Sequence, residues 1–338
     1  MEWFNDHKKL FITTILFFLF LTVFVAILPA LNNEKINRPL PGAEPLSKEA
    51  VAGKKIYIAN GCVACHTQQV RNVDMDKVWG QRPSVAADYA AITRTDLWSN
   101  TATLMGTERT GPDLTDVGNR QGSLEWNLTH LFNPRILVKE SIMPAYSWLF
   151  EIKKEPAPDD VVVNVPAGYI KGEGKVVAKK EALQLVAYLQ SLKQTKLPDG
   201  NAIPEFLYKR KPKAAAGESG EAPALDGSVL YTTHCQACHQ AGGEGLPGAF
   251  PPLKGSKVVV ADSIEVFVDI ILNGYNARAG EGYGAMPPVG TTANLTAEEI
   301  TAIMNHERTS WGNSAKKVTV EEVKKIMEFI KSQPAKTK

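Results

Sequence analysis

The sequence predicts a mainly α-helical protein: one amino-terminal transmembrane helix followed by two helical domains, the first carrying a small β-hairpin insertion. Three observations predict it. An uncharged run, LFITTILFFLFLTVFVAILPAL, fills positions 10–31. A five-residue pattern, C-x-x-C-H, occurs at Cys62–His66 and again at Cys235–His239, and the two copies use all four cysteines of the chain. Segments with helical apolar spacing flank each copy.

The apolar run is long enough to cross a bilayer, which takes about 20 residues. His7, Lys8 and Lys9 precede it, so the positive-inside rule keeps that end cytoplasmic and sends everything after Asn32 across. A cleaved signal peptide is the alternative. Its apolar core is only about 7 to 15 residues long, however, and no clear small-residue cleavage site follows here. Pro29 lies near the outer end of the run, where a helix has unpaired carbonyls in any case.

The chain divides into an anchor (1–32), a first domain (33–196), a linker (197–224) and a second domain (225–338). Residues 32–46, rich in Asn and Pro, read as a tether, and the small, polar, Pro-containing composition of 197–224 is that of a flexible linker. Charge is nearly balanced, 38 Lys+Arg against 36 Asp+Glu, which excludes nucleic acid as an expected partner.

Each domain has helical bookends, an opening and a closing helix expected to cross. In the first, Ser47 caps a helix that runs through Lys54–Ala59 into Cys62, and Glu181–Lys193 closes the domain with Leu183, Val186, Ala187, Leu189 and Leu192 on one face. In the second, Gly227–Tyr231 leads into Cys235, and Thr319–Ile330 closes it with Val320, Val323, Ile326, Met327 and Ile330 as the buried stripe. Between Trp148 and Lys180 the first domain has additional chain. There the β-branched run Asp160–Val165, followed by Gly168, suggests a small β-hairpin, either a docking surface or an ornament.

C-x-x-C-H is the attachment signature of c-type haem. Two thiols one helical turn apart form thioethers with the two vinyl groups, and the adjacent histidine reaches the iron from one face. Two covalently bound haems c are therefore expected, attached through Cys62, Cys65, Cys235 and Cys238, with His66 and His239 as proximal ligands. A zinc ribbon needs its cysteine pairs roughly 15 to 20 residues apart. A redox dithiol or a disulfide leaves both histidines unexplained.

An electron carrier usually has a sixth ligand, often a methionine, which stabilises the ferrous state. Met143 in SIMPAY and Met286 in GAMPPV each stand directly before a proline, which fixes the backbone and can hold a thioether against the cofactor. Met75, Met105, Met304 and Met327 are less well placed, and His130 reads as a packed helix residue.

Two proline turns, TGPDL at 110–114 and FPPL at 250–253, resemble the proline segment of class I cytochromes c. In that family a proline carbonyl accepts the ring N–H of the proximal histidine. The resemblance implies Pro112 for His66 and Pro251 or Pro252 for His239. More specifically, GCVACHTQQVRN, WGQRPSVAADYA, RTGPDLTDVGNR, LFNPR and ESIMPAYSWL, in that order across residues 8–195, resemble the mono-haem subunit II of cbb(3)-type cytochrome c oxidases. Residues 225–338 look like a generic class I cytochrome c domain.

The resemblance implies a membrane-anchored di-haem c electron-transfer subunit of a cbb(3)-type terminal oxidase. It implies a bacterial cytoplasmic membrane, a single pass, and both haem domains on the periplasmic side. Electrons are then expected from a cytochrome c or a membrane quinol-oxidising complex, through the second domain and then the first. They end on a catalytic haem-copper subunit that holds haem b, a high-spin haem and copper. The chain itself has no catalytic centre on this reading. The fused second domain takes over part of the role of a separate di-haem subunit.

Two alternatives stay open: a free-standing di-haem carrier serving another reductase such as nitric oxide reductase, and a di-haem peroxidase, which methionines at both sites count against. Arg71 and Arg109 are either propionate partners or solvated surface arginines, and Tyr146 and Trp311 are expected to pack beside the porphyrin.

Overall fold

The computed structural model describes residues 2–36, 45–90, 104–170, 172–197, 202–207, 225–281 and 283–333. The chain forms two compact units, one made of Met1–Pro45, Val85–Leu104 and Thr195–Asp199, the other of Leu46–Ser84, Met105–Gln194 and Gly200–Lys338.

In the first unit, α1 (His7–Leu21) starts where the Asp6 carboxylate accepts from the backbone N–H of Lys8 (3.1 Å) and Lys9 (3.3 Å). It continues through a π-helical stretch, Thr22–Ile27, into α2 (Leu28–Ile36). The span His7–Asn32 has a mean hydropathy of 2.8 and buries none of its side chains in protein. Such a helix has its backbone bonds closed internally and its apolar side chains free for a lipid environment. Elsewhere in this unit the Asp88 carboxylate accepts from Val85 N and Thr195 N, both at 2.9 Å, tying the two short segments together.

The second unit contains both cysteine motifs. Its first part is built on α3 (Lys48–Ala59), α4 (Leu124–Phe132) and α5 (Lys180–Ser191). α3 and α5 cross at Gly53, where an added Cβ would stand 1.9 Å from the Gln184 carbonyl oxygen. Only glycine permits that approach. Around the crossing Ala50, Tyr57, Leu185 and Val186 are buried, and Tyr57 meets Tyr188 edge to face at 5.3 Å.

The expected insertion is a three-stranded antiparallel sheet of β1 (Phe150–Lys153), β2 (Val162–Val163) and β3 (Lys175–Ala178), in the order β1-β3-β2. Phe150 pairs with Ala178 and Val162 with Val177. The strand segment predicted near 160–169 is therefore confined to Val162–Val163. Pro166, which has no N–H to give a ladder, ends the extended run, and Ala167–Tyr169 forms a 3₁₀ turn.

The second part comprises α6 (Gly227–His234), α7 (Glu265–Asn273), α8 (Ala297–Thr309) and α9 (Val320–Ser332). Here the structure corrects the expected pairing of the Gly227 helix with Thr319–Ile330. α6 crosses α8, because Gly227 lies against α8 with its would-be Cβ 2.0 Å from the Ala302 carbonyl oxygen. α9 packs instead against α7 and α8, contributing Val323 and Met327 to a core with Val268, Ile300, Ile303 and Met304. Capping boxes at Thr296/Glu299 and Thr319/Glu322 start α8 and α9. The buried Arg308 guanidinium donates to the carbonyls of Lys316, Val259 and Ala261 at 2.7–2.8 Å, holding the connection between those helices. Most of the expected linker (208–224) and of the tether (37–44) lies outside the described residues.

Candidate functional site

α3 delivers the first motif. Its last turn passes into a 3₁₀ turn at Cys62–Ala64 and then to Cys65 and His66. His66 Nδ1 lies 2.8 Å from the Pro112 carbonyl oxygen. A carbonyl can only accept, so Nδ1 carries the proton and Nε2 keeps its lone pair. The proline loop is fixed to the segment after the motif by Gly111 N donating to Cys65 O (2.9 Å) and Leu114 N to Thr67 O (2.8 Å). The fully buried Asp113 carboxylate adds to this, accepting from Thr67 Oγ1 (2.6 Å), Gln69 N (2.8 Å) and Thr115 N (2.8 Å). Gly111 lies flat against the imidazole: a Cβ there would be 2.3 Å from His66 Cε1. Met143 is half-buried in the loop that follows α4. Three residues on, Tyr146 is buried with its hydroxyl hydrogen-bonded to the Cys62 thiol and its ring 5.0 Å from Trp148.

The second site repeats the plan. α6 runs into Cys235, and a helical turn, Gln236–His239, brings Cys238 and the buried His239 to the cleft. His239 Nδ1 is 2.9 Å from the carbonyl oxygen of Pro251, so Pro251 rather than Pro252 is its partner. An apolar cleft of about 1260 Å³, measured out to its mouth, is lined by Cys235, Cys238, His239 and Met286, with Phe250 and Ile271 among its walls. Reciprocal backbone hydrogen bonds with Tyr275 (3.0 and 2.8 Å) hold Met286 in place.

The electrostatics keep the ligand groups neutral. Burial pushes the Cys62 and Cys238 thiols up to about 11 and Cys235 further still. All four cysteines are unpaired. Burial lowers both His66 and His239, with the proline carbonyls opposing it in part. Neutral thiols are poor redox or metal nucleophiles, and among the described residues no group of three or more His, Cys, Asp or Glu side chains is disposed to hold a metal ion. Paired thiols, an imidazole with Nε2 free, a thioether and apolar walls fit a covalently attached haem c at the second cleft. The matching histidine–proline contact extends that fit to the first site.

Other expected residues have different roles. Arg71 and Arg109 both pair with the fully buried Asp76, at 3.1 and 2.5 Å, and Arg109 also reaches Asp113 (3.6 Å). Each therefore has a carboxylate partner within the protein, Arg71 with its side chain still about half exposed (49%). Trp311 packs on Tyr231 (4.9 Å) and His306 (5.3 Å) and donates to Ala241 O, outside the cleft lining. Met304 and Met327 are core residues.

Two features had no signal in the sequence. Gln121 and Ser123, from the first domain, line the second cleft, and Glu307 is buried in that cleft beside Cys235. Burial raises the Glu307 carboxyl to about 8. Neither belongs to a local motif; both depend on chain brought in from more than 70 residues away.

Residues 1–167 match the family described as cytochrome c oxidase, mono-heme subunit/FixO, and residues 222–306 match cytochrome c oxidase, cbb3-type, subunit III. Cytochrome c-552 of Thermus thermophilus is 38% identical over 113 residues, which cover 30% of this chain and 83% of that protein. The cytochrome c subunit of a quinone alcohol dehydrogenase from Gluconacetobacter polyoxogenes is 31% identical over 193 residues, 50% of this chain and 38% of that protein. The fructose dehydrogenase cytochrome subunit of Gluconobacter japonicus is 25% identical over 154 residues, 42% and 32% of the two chains. The chain thus spans well under half the length of these dehydrogenase subunits.

Proposed function

We propose a role that proceeds from one premise: the chain belongs to the cytochrome c family, as a FixO-type mono-haem cbb3 oxidase subunit domain joined to a cbb3 subunit III-like cytochrome c domain. Its function is electron transfer as a membrane-anchored di-haem c subunit of a cbb(3)-type terminal oxidase. Cys62 and Cys65 would attach the first haem and Cys235 and Cys238 the second, with His66 and Met143 holding one iron and His239 and Met286 the other. A haem c held in this way would supply one-electron exchange.

The observation that carries the reading is the duplicated histidine–proline contact, 2.8 Å at Pro112 and 2.9 Å at Pro251. In each domain the proline carbonyl orients the imidazole, makes it a stronger ligand and keeps its Nε2 unprotonated. The apolar cleft walls exclude water from the second site, which favours the less charged, reduced state. The single span of α1–α2 holds both domains at the outer face of a bacterial cytoplasmic membrane, next to a catalytic haem-copper subunit. The donor is a cytochrome c or a quinol-oxidising membrane complex, received at the second domain in place of part of a separate di-haem subunit.

The test is haem and metal analysis of the tagged chain purified from native membranes in mild detergent. The expected result is haem b and copper accompanying two haems c per chain. Recovery of haem c alone overturns the oxidase assignment and leaves a free-standing carrier.

A further inference from the structure

The two cytochrome domains meet at the rim of the second cleft. The amino-terminal end of α4 makes the contact from the first domain. Trp126 Nε1 donates to the carbonyl of Ala237, inside the second C-x-x-C-H, at 3.2 Å. The Gln121 amide lies 3.6 Å from Cys238 Sγ, and its hydrogen bonds are best satisfied with its oxygen accepting from Trp126 Nε1 (3.2 Å). On the opposite rim, two residues before Met286, Gly284 is packed so closely that a Cβ would stand 2.9 Å from Glu125 Oε2 and 3.4 Å from Ser123 Oγ. The same short stretch of the first domain therefore touches both the attachment motif and the methionine loop of the second.

The other end of the helix holds the first site, where Leu131 O accepts from Tyr146 N at 2.9 Å, three residues after Met143. One helical turn after Trp126, the His130 ring stacks on the indole at 4.5 Å and 15°. The buried Nδ1 of His130 has no hydrogen-bond partner. Away from α4, Asn164 Nδ2 donates to Gly248 O at 2.6 Å and Lys77 stands 3.8 Å from Glu299, so the domains are also held at two further points.

We propose that α4 is the inter-haem bridge: Gln121 and Ser123 line the second cleft from the first domain, Trp126 holds its attachment motif through Ala237, and Leu131 at the far end of the same helix holds the Met143 loop, so that the two sites stand at fixed separation. The two domains then exchange electrons as one docked unit, and the chain between them only retains the second domain. Docking of this kind replaces the effective concentration of a tether by a permanent contact. This rests on both domains carrying haem c, so haem content is measured first; fewer than two haems c per chain refutes the proposed function and leaves no test of the bridge to misread.

The experiment uses the full chain in detergent with two haems c confirmed. A pulse of photogenerated reductant reduces one haem, and re-equilibration between the two is followed over a tenfold range of protein concentration, alongside the potential of the second haem. The wild type is expected to re-equilibrate at a rate independent of concentration. Trp126→Ala is expected to slow that rate by roughly tenfold or more. It is also expected to lower the second-haem potential, because the cleft opens to water. Trp126→Phe keeps the ring stack but lacks the Nε1 donor to Ala237, so it should recover only part of the rate, whereas a merely structural loss would be recovered in full. Rates proportional to protein concentration in the wild type, or an unchanged rate in Trp126→Ala with both haems present, overturn the proposal.

Discussion

Replacing Gly111 with alanine should damage the first site and spare the second. A Cβ at this position would lie 2.3, 2.7 and 2.9 Å from Cε1, Nδ1 and Nε2 of His66, where ordinary contacts begin near 3.4 Å. One side must move by roughly 1 Å, a displacement taken from the difference between those distances and a normal van der Waals contact. The loop cannot retreat, because Gly111 N is bonded to Cys65 O and Asp113 is tied to Thr67, Gln69 and Thr115. The imidazole must therefore rotate and give up its 2.8 Å contact with Pro112 O. Overpacking costs about 1–3 kcal/mol, and a lost hydrogen bond about 1 kcal/mol, so roughly 2–4 kcal/mol of first-domain stability should go. The assay is urea unfolding combined with a redox titration that resolves the two haems. The first-domain potential is expected to shift as its ligand loses its orienting partner. The second, with His239 untouched, is an internal standard, and Gly168→Ala, which meets nothing within 4 Å, controls for the substitution itself. Unchanged stability together with an unchanged first potential would refute the claim that Pro112 positions His66.

Two further substitutions test the buried carboxylates. Glu307 is raised to about 8 from 4.5 by burial, so the folded protein prefers it protonated. Its stabilising preference is complete below pH 4.5 and fades as pH rises toward 8, because the unfolded chain releases the proton first. At about 1.4 kcal/mol per pH unit, the wild type should lose on the order of 5 kcal/mol relative to Glu307→Gln across that interval, measured by urea unfolding at several pH values. Parallel pH profiles would count against the buried position. Asp76 has the opposite sign: burial alone would raise its carboxyl, but hydrogen bonds from Arg71 and Arg109 outweigh burial and hold it below 3.8. Its contribution is present above that value and lost as pH falls through the lowered one. Asp76→Asn should cost about 3 kcal/mol at pH 7 by removing the buried charge that Arg71 and Arg109 share. The gap to wild type should close in acid, and a gap that persists at low pH would point to packing instead.

The chemistry of this chain was written locally. C-x-x-C-H needs five consecutive residues, and the Met-Pro and proline turns need only a few more. The geometry bears out the proline-turn reading, with Pro112 facing His66 and Pro251 facing His239. The less accurate readings all involved distance along the chain. The partner of α6 was expected to be the strongly amphipathic Thr319–Ile330 helix. An apolar stripe shows that a helix is buried but not against what, and the choice of α8 hung on one glycine meeting Ala302. Arg71 and Arg109 were legible as cations and not as partners of Asp76, since nothing in the spacing marks that carboxylate as fully buried. The hairpin became a sheet because β3 comes from residues 175–178, beyond the segment whose alternation was visible.

By itself, the sequence determined what the protein can bind. Thiol pairs, histidines, methionines and an uncharged span are covalent or compositional facts, and their chemistry does not depend on how the domains pack. The tertiary structure alone decided how the two sites are related. Gln121 and Ser123 reach a cleft, and Trp126 the motif beside it, more than 100 residues further along the chain, and that meeting follows from packing free energy spread over two domains rather than from any pattern a single segment carries.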